Sequence, residues 1–238
     1  MTELTGQVVL VAGAAGNLGA AVARGFQAAG AHLALADRSP DRLPGLFSDL
    51  AAAPQHMLCG SVDAADPDSV QRWVEAAVAR FGRIDVLANT IGGYKAGTAT
   101  HETTLETWDF MMTLNARTAF ILSRAVLPQM LRQGAGRIVH TAARAALAGA
   151  ANHSAYSASK SVVVRLVESM AAEYKQQGVT VNCVLPGTID TPQNRADMPN
   201  ADRGKWLPPA AIADAFVFLA SDAASHITGA ALPVYGRS

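Results

Sequence analysis

The chain is predicted to fold as a single α/β domain over residues 1–238, built on a doubly wound parallel sheet of about seven strands with helices on both faces. Three observations predict it. Short β-rich runs alternate with helix-like stretches along most of the length, a pattern that implies parallel strands joined by right-handed crossovers. Several of those runs are apolar throughout, as strands buried on both faces require. A glycine-rich turn separates the first strand from the first helix, the place where such sheets receive ligands.

The elements follow in order. Val8–Ala12 is an apolar first strand, and the helical stretch Leu18–Ala29 leads to a second strand at Leu33–Ala36. His56–Gly60 is the third strand, Ser69–Phe81 the helix after it, and Val86–Ala88 the fourth strand. One long helix is expected over Leu105–Arg132, then a strand at Arg137–Thr141 and a helix over Ser154–Gln176. Val179–Leu185, Ala210–Ala220 and Ala231–Val234 complete the alternation as strand, helix and strand. No internal repeat, low-complexity tract or linker interrupts it. The long irregular stretch is Pro186–Pro209, directly after a strand end, and residues 188–209 are read as a substrate lid.

Composition narrows the function classes. Half the residues are hydrophobic and 16% are charged, so a substantial core is expected rather than disorder. Lys+Arg and Asp+Glu balance at 19 each, which makes no electrostatic case for nucleic acid or an anionic membrane as partner. Cys59 and Cys183 lie in apolar, strand-like runs and are expected to be buried free thiols of a reducing compartment; two ligands are too few for zinc, and no metal is expected. Acidic Glu3 and the lack of a long apolar core argue against a signal peptide, and no apolar run approaches the roughly 20 residues of a membrane span. A cytoplasmic protein acting on a small molecule is the expectation.

The residues with chemistry fall at two places. Tyr156 and Lys160 are one helical turn apart, on the same side of their helix, where an ammonium can stabilise a tyrosinate and make the phenol a usable acid or base. Gly13, Gly16 and Gly19, with Asn17 and Leu18, open the first helix so that the backbone can approach a pyrophosphate at the helix N-terminus. Asp37 follows the second strand, where a carboxylate accepts hydrogen bonds from ribose hydroxyls and repels a 2′-phosphate. Arg38 and Arg42 leave room for NADP(H), but the glycine loop carries no basic residue, so NAD(H) is favoured over NADP(H). Asp63 ends the third strand near an adenine position, and Asn89 either braces the sheet or lines the cleft.

With those pieces in order, the chain resembles the short-chain dehydrogenase/reductase family along nearly its whole length. The resemblance is carried by the glycine loop, Asp63 with Ala64, Asn89-Thr90-Ile91-Gly92, Asn115, Tyr156-x-x-x-Lys160, Pro186-Gly187 with Thr191, and Phe218–Asp222 with Ile227–Gly229. It implies a Rossmann fold and hydride transfer between NAD(P) and a substrate carbon, with Tyr156 as acid/base. Lys160 would lower the Tyr156 pKa and hold the nicotinamide ribose, Asn115 would keep a relay water in place, and Ile189 and Thr191 would meet the nicotinamide. A homo-oligomer, dimer or tetramer, is implied as well.

The departures are as informative. Ala12, Asn17, Thr90 and Ile91 differ from the usual family residues in ways compatible with binding. Ala143 stands where the family has a serine that donates a hydrogen bond to the substrate oxygen. Losing one such donor costs roughly 10²–10³ in rate, or about 3–4 kcal/mol. Thr141 is on the same strand face but about 6.6 Å away along it, and Ser154 is a second candidate substitute. The serine-less site, the lid residues and Gly92-Gly93-Tyr94 are similar to the dihydropteridine reductase branch, whose quinonoid substrate needs less polarisation. Tyr94, Ala143 and Trp206 are therefore placed at the substrate. Three readings remain: an alcohol dehydrogenase or carbonyl reductase, a pteridine-type reductase, and a cofactor-binding sensor or scaffold.

Overall fold

The computed structural model describes residues 3–237; Met1, Thr2 and Ser238, which the expected 1–238 domain includes, lie outside the described residues. Seven strands form one sheet: β1 (Val8–Ala12), β2 (His32–Ala36), β3 (His56–Cys59), β4 (Val86–Asn89), β5 (Gly136–Thr141), β6 (Val179–Pro186) and β7 (Ala231–Val234). Their order is β3-β2-β1-β4-β5-β6-β7, and every neighbouring pair is parallel. The single-domain Rossmann-type architecture expected from the alternation is the observed one.

Nine α-helical segments are described: α1 (Asn17–Ala28), α2 (Arg42–Leu46), α3 (Ser48–Ala51), α4 (Pro67–Phe81), α5 (Leu105–Met111), α6 (Thr118–Gln133), α7 (Ser154–Tyr174), α8 (Pro192–Asp197) and α9 (Pro209–Leu219). Strand side chains alternate between two cores, as the two-residue period demands. Val8, Leu10 and Ala12 pack with Val70 and Val74 of α4, Leu122 and Val126 of α6, and Val163 and Val167 of α7. Val9 and Val11 pack on the opposite face with Val22 and Phe26 of α1 and Ile212 and Phe216 of α9.

Three local features differ from the sequence expectation, each for a physical reason. Helix α4 begins two residues before Ser69, because the Asp66 carboxylate accepts from Asp68 N at 3.0 Å and Pro67 is preorganised for the first helical position. Short helices α2 and α3 occupy residues assigned no element, and α8 lies within the stretch read as irregular. Pro44 and Gly45 are poor helix formers, and it is the burial of Leu43, Phe47 and Leu50 that seats α2 and α3. The expected helix over Leu105–Arg132 is interrupted by a π-helical stretch, Met112–Arg117, between α5 and α6. The residues bounding it keep right-handed helical dihedrals, with Met111 at φ −66°, ψ −43° and Thr118 at φ −61°, ψ −41°. Helical periodicity therefore runs on with no punctuating residue, and only the backbone shows the widened turn.

The segment 188–209 is also more ordered than an open loop. Ile189 bridges to Leu207, and Leu207 N donates to Thr188 O while Asp190 N donates to Leu207 O, so its two ends are stitched together. Asp190 and Arg195 form an ion pair at 2.6 Å within it.

Sheet position depends on the buried Asp85 carboxylate just before β4, which accepts from Val8 N at 2.8 Å and from the Arg83 guanidinium fork. Asp85→Ala would leave Val8 N without its partner. We expect a loss of about 2–3 kcal/mol, seen as a lower urea midpoint at unchanged m-value; an unmoved midpoint would show that the carboxylate does not anchor β1 to β4.

Candidate active site

Strands β1 and β4 are neighbours whose onward connections leave to opposite faces, and a crevice opens at their carboxyl ends. Gly13 follows β1 with φ +79°, a left-handed conformation that glycine tolerates. A Cβ there would lie 2.9 Å from Ile91 Cγ1 and 3.2 Å from Thr90 Oγ1, so a side chain would fill the crevice. Thr90 Oγ1 donates to Ala12 O at 2.7 Å and ties the two strand ends together.

Asp37 and Arg42 shape the glycine loop. Ala15 N donates to Asp37 Oδ2 at 3.0 Å, Ser39 N donates to Asp37 Oδ1 at 3.0 Å, and Arg42 Nη2 donates to Ala15 O at 2.6 Å. Beside them lies a cavity of about 480 Å³ reached by Gly13, Gly16, Asp37, Arg38, Asp63, Ala64 and Gly92. Trp73 also lines it, and its Nε1–H is a buried donor with no partner. A glycine cradle that no side chain could share, beside a cavity lined by Asp37 and Asp63, fits a dinucleotide.

Tyr156 and Lys160 lie behind Gly92, which lines that cavity and whose Cβ would fall 2.7 Å from Lys160 Nζ. Lys160 is 3% exposed and donates from Nζ to Thr141 O at 3.0 Å. Burial lowers its ammonium to about 8. Asn115, inside the π-helical stretch, donates from Nδ2 to Ser159 Oγ at 3.0 Å and to Gly93 O at 3.2 Å, and its Oδ1 accepts from Gly93 N at 3.0 Å. Ser159 Oγ in turn donates to Tyr156 O at 2.8 Å. Tyr94 meets Tyr156 edge-on, with ring centroids 4.9 Å apart.

Tyr156 differs from the sequence expectation. Lys160 was expected to lower its pKa; instead burial, followed by the neighbouring Tyr94, pushes the phenol up to about 12. Desolvation disfavours the phenolate, and Lys160 Nζ donates to the Thr141 carbonyl. The thiols behave as a partly buried and a fully buried group, Cys59 and Cys183, and burial pushes Cys183 to about 12.

The remaining predicted residues take other positions. Gly19 is packed against the Gly13 carbonyl, Leu18 is buried, and Asn17 is exposed at the first position of α1. Asn89 resolves toward bracing: its Nδ2 donates to His140 Nδ1 at 3.0 Å and its Oδ1 accepts from Ile91 N. Pro186 ends β6, Gly187 N donates to Val234 O, Ile189 joins the core on the α1/α9 face, and Thr191 caps α8 by accepting from Asn194 N. Ala143 is buried between two points where β5 and its continuation are pinned to α7, Thr141 O by Lys160 and Ala146 O by Ser161. Trp206 is half-buried, and no ring contact to Tyr94 or Tyr156 is recorded among the described residues.

Sequence reading missed the helical wall of the cavity: Phe110, Thr113, Leu114, Thr118 and Leu122. Their only signal was adjacency to Asn115. It also missed His140, fully buried and lowered to about 3 by desolvation, with Lys160 adding to the effect. Because Asn89 Nδ2 can only donate, His140 Nδ1 accepts and Nε2–H donates to Ser123 Oγ at 2.9 Å; Ser123 then donates to Ala119 O.

Residues 7–202 match the short chain dehydrogenase family. The chain is a member of that family. D-threitol dehydrogenase of Mycolicibacterium smegmatis is 37% identical over 243 residues, covering 98% of this chain and 93% of the relative. 2-(R)-hydroxypropyl-CoM dehydrogenase of Xanthobacter autotrophicus is 37% identical over 248 residues, covering 97% of each. Among solved structures, gox2181 superposes with a TM-score of 0.90 at 29% identity, covering 98% of this chain and 95% of that one. Members of the short-chain dehydrogenase family use nicotinamide cofactors, and the protein is an oxidoreductase, which sets aside the sensor or scaffold reading.

Two outcomes test the geometry of this family site. A Cβ on Gly92 would lie 2.7 Å from Lys160 Nζ and 3.1 Å from Asn115 Oδ1; Gly92→Ala should therefore reduce kcat at least about ten-fold, with unchanged steady-state rates showing that Lys160 has room to move. For His140, the folded pKa is depressed to about 3, whereas an unfolded histidine titrates near about 6.5. Between these values the unfolded chain binds a proton that the folded protein refuses, so stability falls as pH drops from about 6.5 toward 3. His140→Gln should flatten that stretch of the stability–pH curve, measured by urea unfolding; identical slopes would sink the assignment.

Proposed function

We propose that the protein is an NAD(H)-dependent oxidoreductase that interconverts a carbonyl and an alcohol on a small substrate, with Tyr156 as acid/base. The observation that carries this reading is the Tyr156–Lys160 pair one turn apart on α7, Lys160 buried and Tyr156 half-buried, with Gly92 between Lys160 and the cavity. When bound, the nicotinamide would supply or accept the hydride. Tyr156, held near 12, is protonated at neutral pH and gives its proton to the carbonyl oxygen. In the reverse direction it must first ionise, so alcohol oxidation speeds up as pH rises. Lys160 supplies the positive charge nearest in sequence on that helix face and holds the nicotinamide ribose, while Asn115 fixes the Gly93 backbone and keeps a relay water.

Asp37 lines the cavity and, facing the adenosine ribose, would repel a 2′-phosphate, which supports NAD(H). The relatives named for threitol and 2-hydroxypropyl-CoM support secondary alcohols as substrates. A pteridine acceptor is the second reading, favoured by the Ala143 methyl group and by the exposed ring of Tyr94. Residues 188–209 act as the lid over the substrate. Exposed Leu105 on α5 and Phe120 on α6 support a homo-oligomer, and no helix among the described residues is long and apolar enough to cross a membrane. A cytoplasmic location fits two cysteines left unpaired.

NADH binding followed by fluorescence should be tighter than NADPH binding, and Asp37→Ala should narrow that gap by about ten-fold, roughly 1.4 kcal/mol. Tyr156→Phe should cut NADH-dependent reduction of 2,3-butanedione, or NAD-dependent oxidation of D-threitol, by 10²-fold or more (about 10²–10⁴ for a lost acid/base), with NADH affinity retained. If only quinonoid dihydropterin is reduced, the second reading replaces the first. A Tyr156→Phe enzyme with wild-type rates would refute the proposed chemistry.

A further inference from the structure

Tyr94, in the segment after β4, is 63% exposed, yet it is held at two points. Its ring lies edge-on to Tyr156 and 5.7 Å, centroid to centroid, from His153. His153 precedes Tyr156 by three residues at the start of α7, which puts both on one side of the helix. The hydrogen bonds assign the tautomer. His153 Nδ1 is 2.7 Å from Ala151 O, a carbonyl that can only accept, so Nδ1 carries the proton. In the neutral ring Nε2 is then an acceptor, and the Tyr94 hydroxyl, 2.9 Å away, donates to it.

The hydroxyls of β5 and α7 are engaged or lie elsewhere. Thr141 Oγ1 donates to Asn89 O at 2.8 Å, Ser161 Oγ donates to Ala146 O at 2.9 Å, and Ser159 Oγ donates to Tyr156 O. Ser157 Oγ is buried without a partner, and Ser154 lines a separate small cavity of about 120 Å³ with Lys95 and Glu102. Tyr94 has its ring against Tyr156, its hydroxyl on His153, and most of its surface open to solvent.

We infer that the Tyr94 hydroxyl, oriented by His153, makes the hydrogen bond to the reacting oxygen that a serine at position 143 would otherwise make. The inference rests on the carbonyl/alcohol reading above. The pair can present either polarity. With a neutral imidazole, Tyr94 gives its proton to Nε2 and its Oη lone pairs suit an alcohol O–H. With an imidazolium, Nε2–H donates to Oη and the phenol proton turns to a carbonyl oxygen. Tyr94 is the group that touches substrate; His153 is a positioning residue. The charged and titratable groups that face His153 are Lys95 and Glu102 across the small cavity, Tyr94 from the segment after β4, and Tyr156 on its own helix.

The test is steady-state reduction of 2,3-butanedione by NADH, with NADH affinity measured in parallel. Tyr94→Phe should lower kcat by roughly 10² at unchanged NADH affinity, and Ala143→Ser should raise the rate at least about ten-fold more in the Tyr94→Phe background than in the wild type. In His153→Gln the side-chain amide can still donate to Tyr94. His153→Gln should keep more activity than His153→Ala. A Tyr94→Phe rate within three-fold of wild type overturns the inference, as does a loss that Ala143→Ser fails to repair. Absence of Tyr156-dependent turnover in the wild type instead overturns the underlying reading, and the inference with it.

Discussion

One buried charge sets the terms for the whole active site. The Lys160 ammonium is almost sealed from solvent, and a cation in that position is tolerable only when hydrogen-bonded. Thr141 O satisfies it, which fixes the carboxyl end of β5 against α7. Gly92 must lack a side chain for the ammonium to fit, which brings the chain after β4 close. Asn115 then clamps Gly93 at both N–H and carbonyl, and reaches Ser159 on α7. The same poorly solvated surroundings that bring the ammonium down to about 8 hold the Tyr156 phenol near 12, so the two groups are tuned in opposite senses by one cause.

A second polar chain crosses the middle of the sheet. Asn89 on β4, His140 on β5 and Ser123 on α6 form a directed series ending at Ala119 O, in which each donor has one acceptor. Such a series specifies which residues of β4 and β5 lie side by side. It also keeps the imidazole neutral close to a cation, so His140 adds no charge to compete with Lys160.

The strands were legible because burial on both faces leaves long apolar runs, and each predicted strand end lies within one residue of the observed one. Tyr156, Lys160 and the glycine loop were legible because their spacing along the chain is itself the geometry, whereas Asn115 entered only through the family resemblance. What escaped has a common physical character. The π-helical stretch retains ordinary helical dihedrals at its ends, so nothing in the residue pattern announces it. Asp37 reads as a ribose ligand, but its carboxylate also closes the glycine loop, a contact 22 residues apart. Tyr94 and His153 are 59 residues apart, and Asn89 and His140 are 51 apart. Pairs that depend on strand order cannot be seen before the strand order is known. Ala143 was visible as an absence, while what surrounds it depended on the fold.

The widened turn at Met112–Arg117 places a constraint on chain length rather than on residue type. An α-helix advances by about 100° per residue, so removing one residue there to restore regular winding would rotate α6 by that angle relative to α5. Leu122 and Val126 would swing out of the core, and Asn115 away from Gly93. Insertions and deletions are ordinarily absorbed at exposed loop tips, but here a helix interior counts residues. The active site is thus indexed to the sheet by the number of peptide units between β4 and β5 as much as by their chemistry.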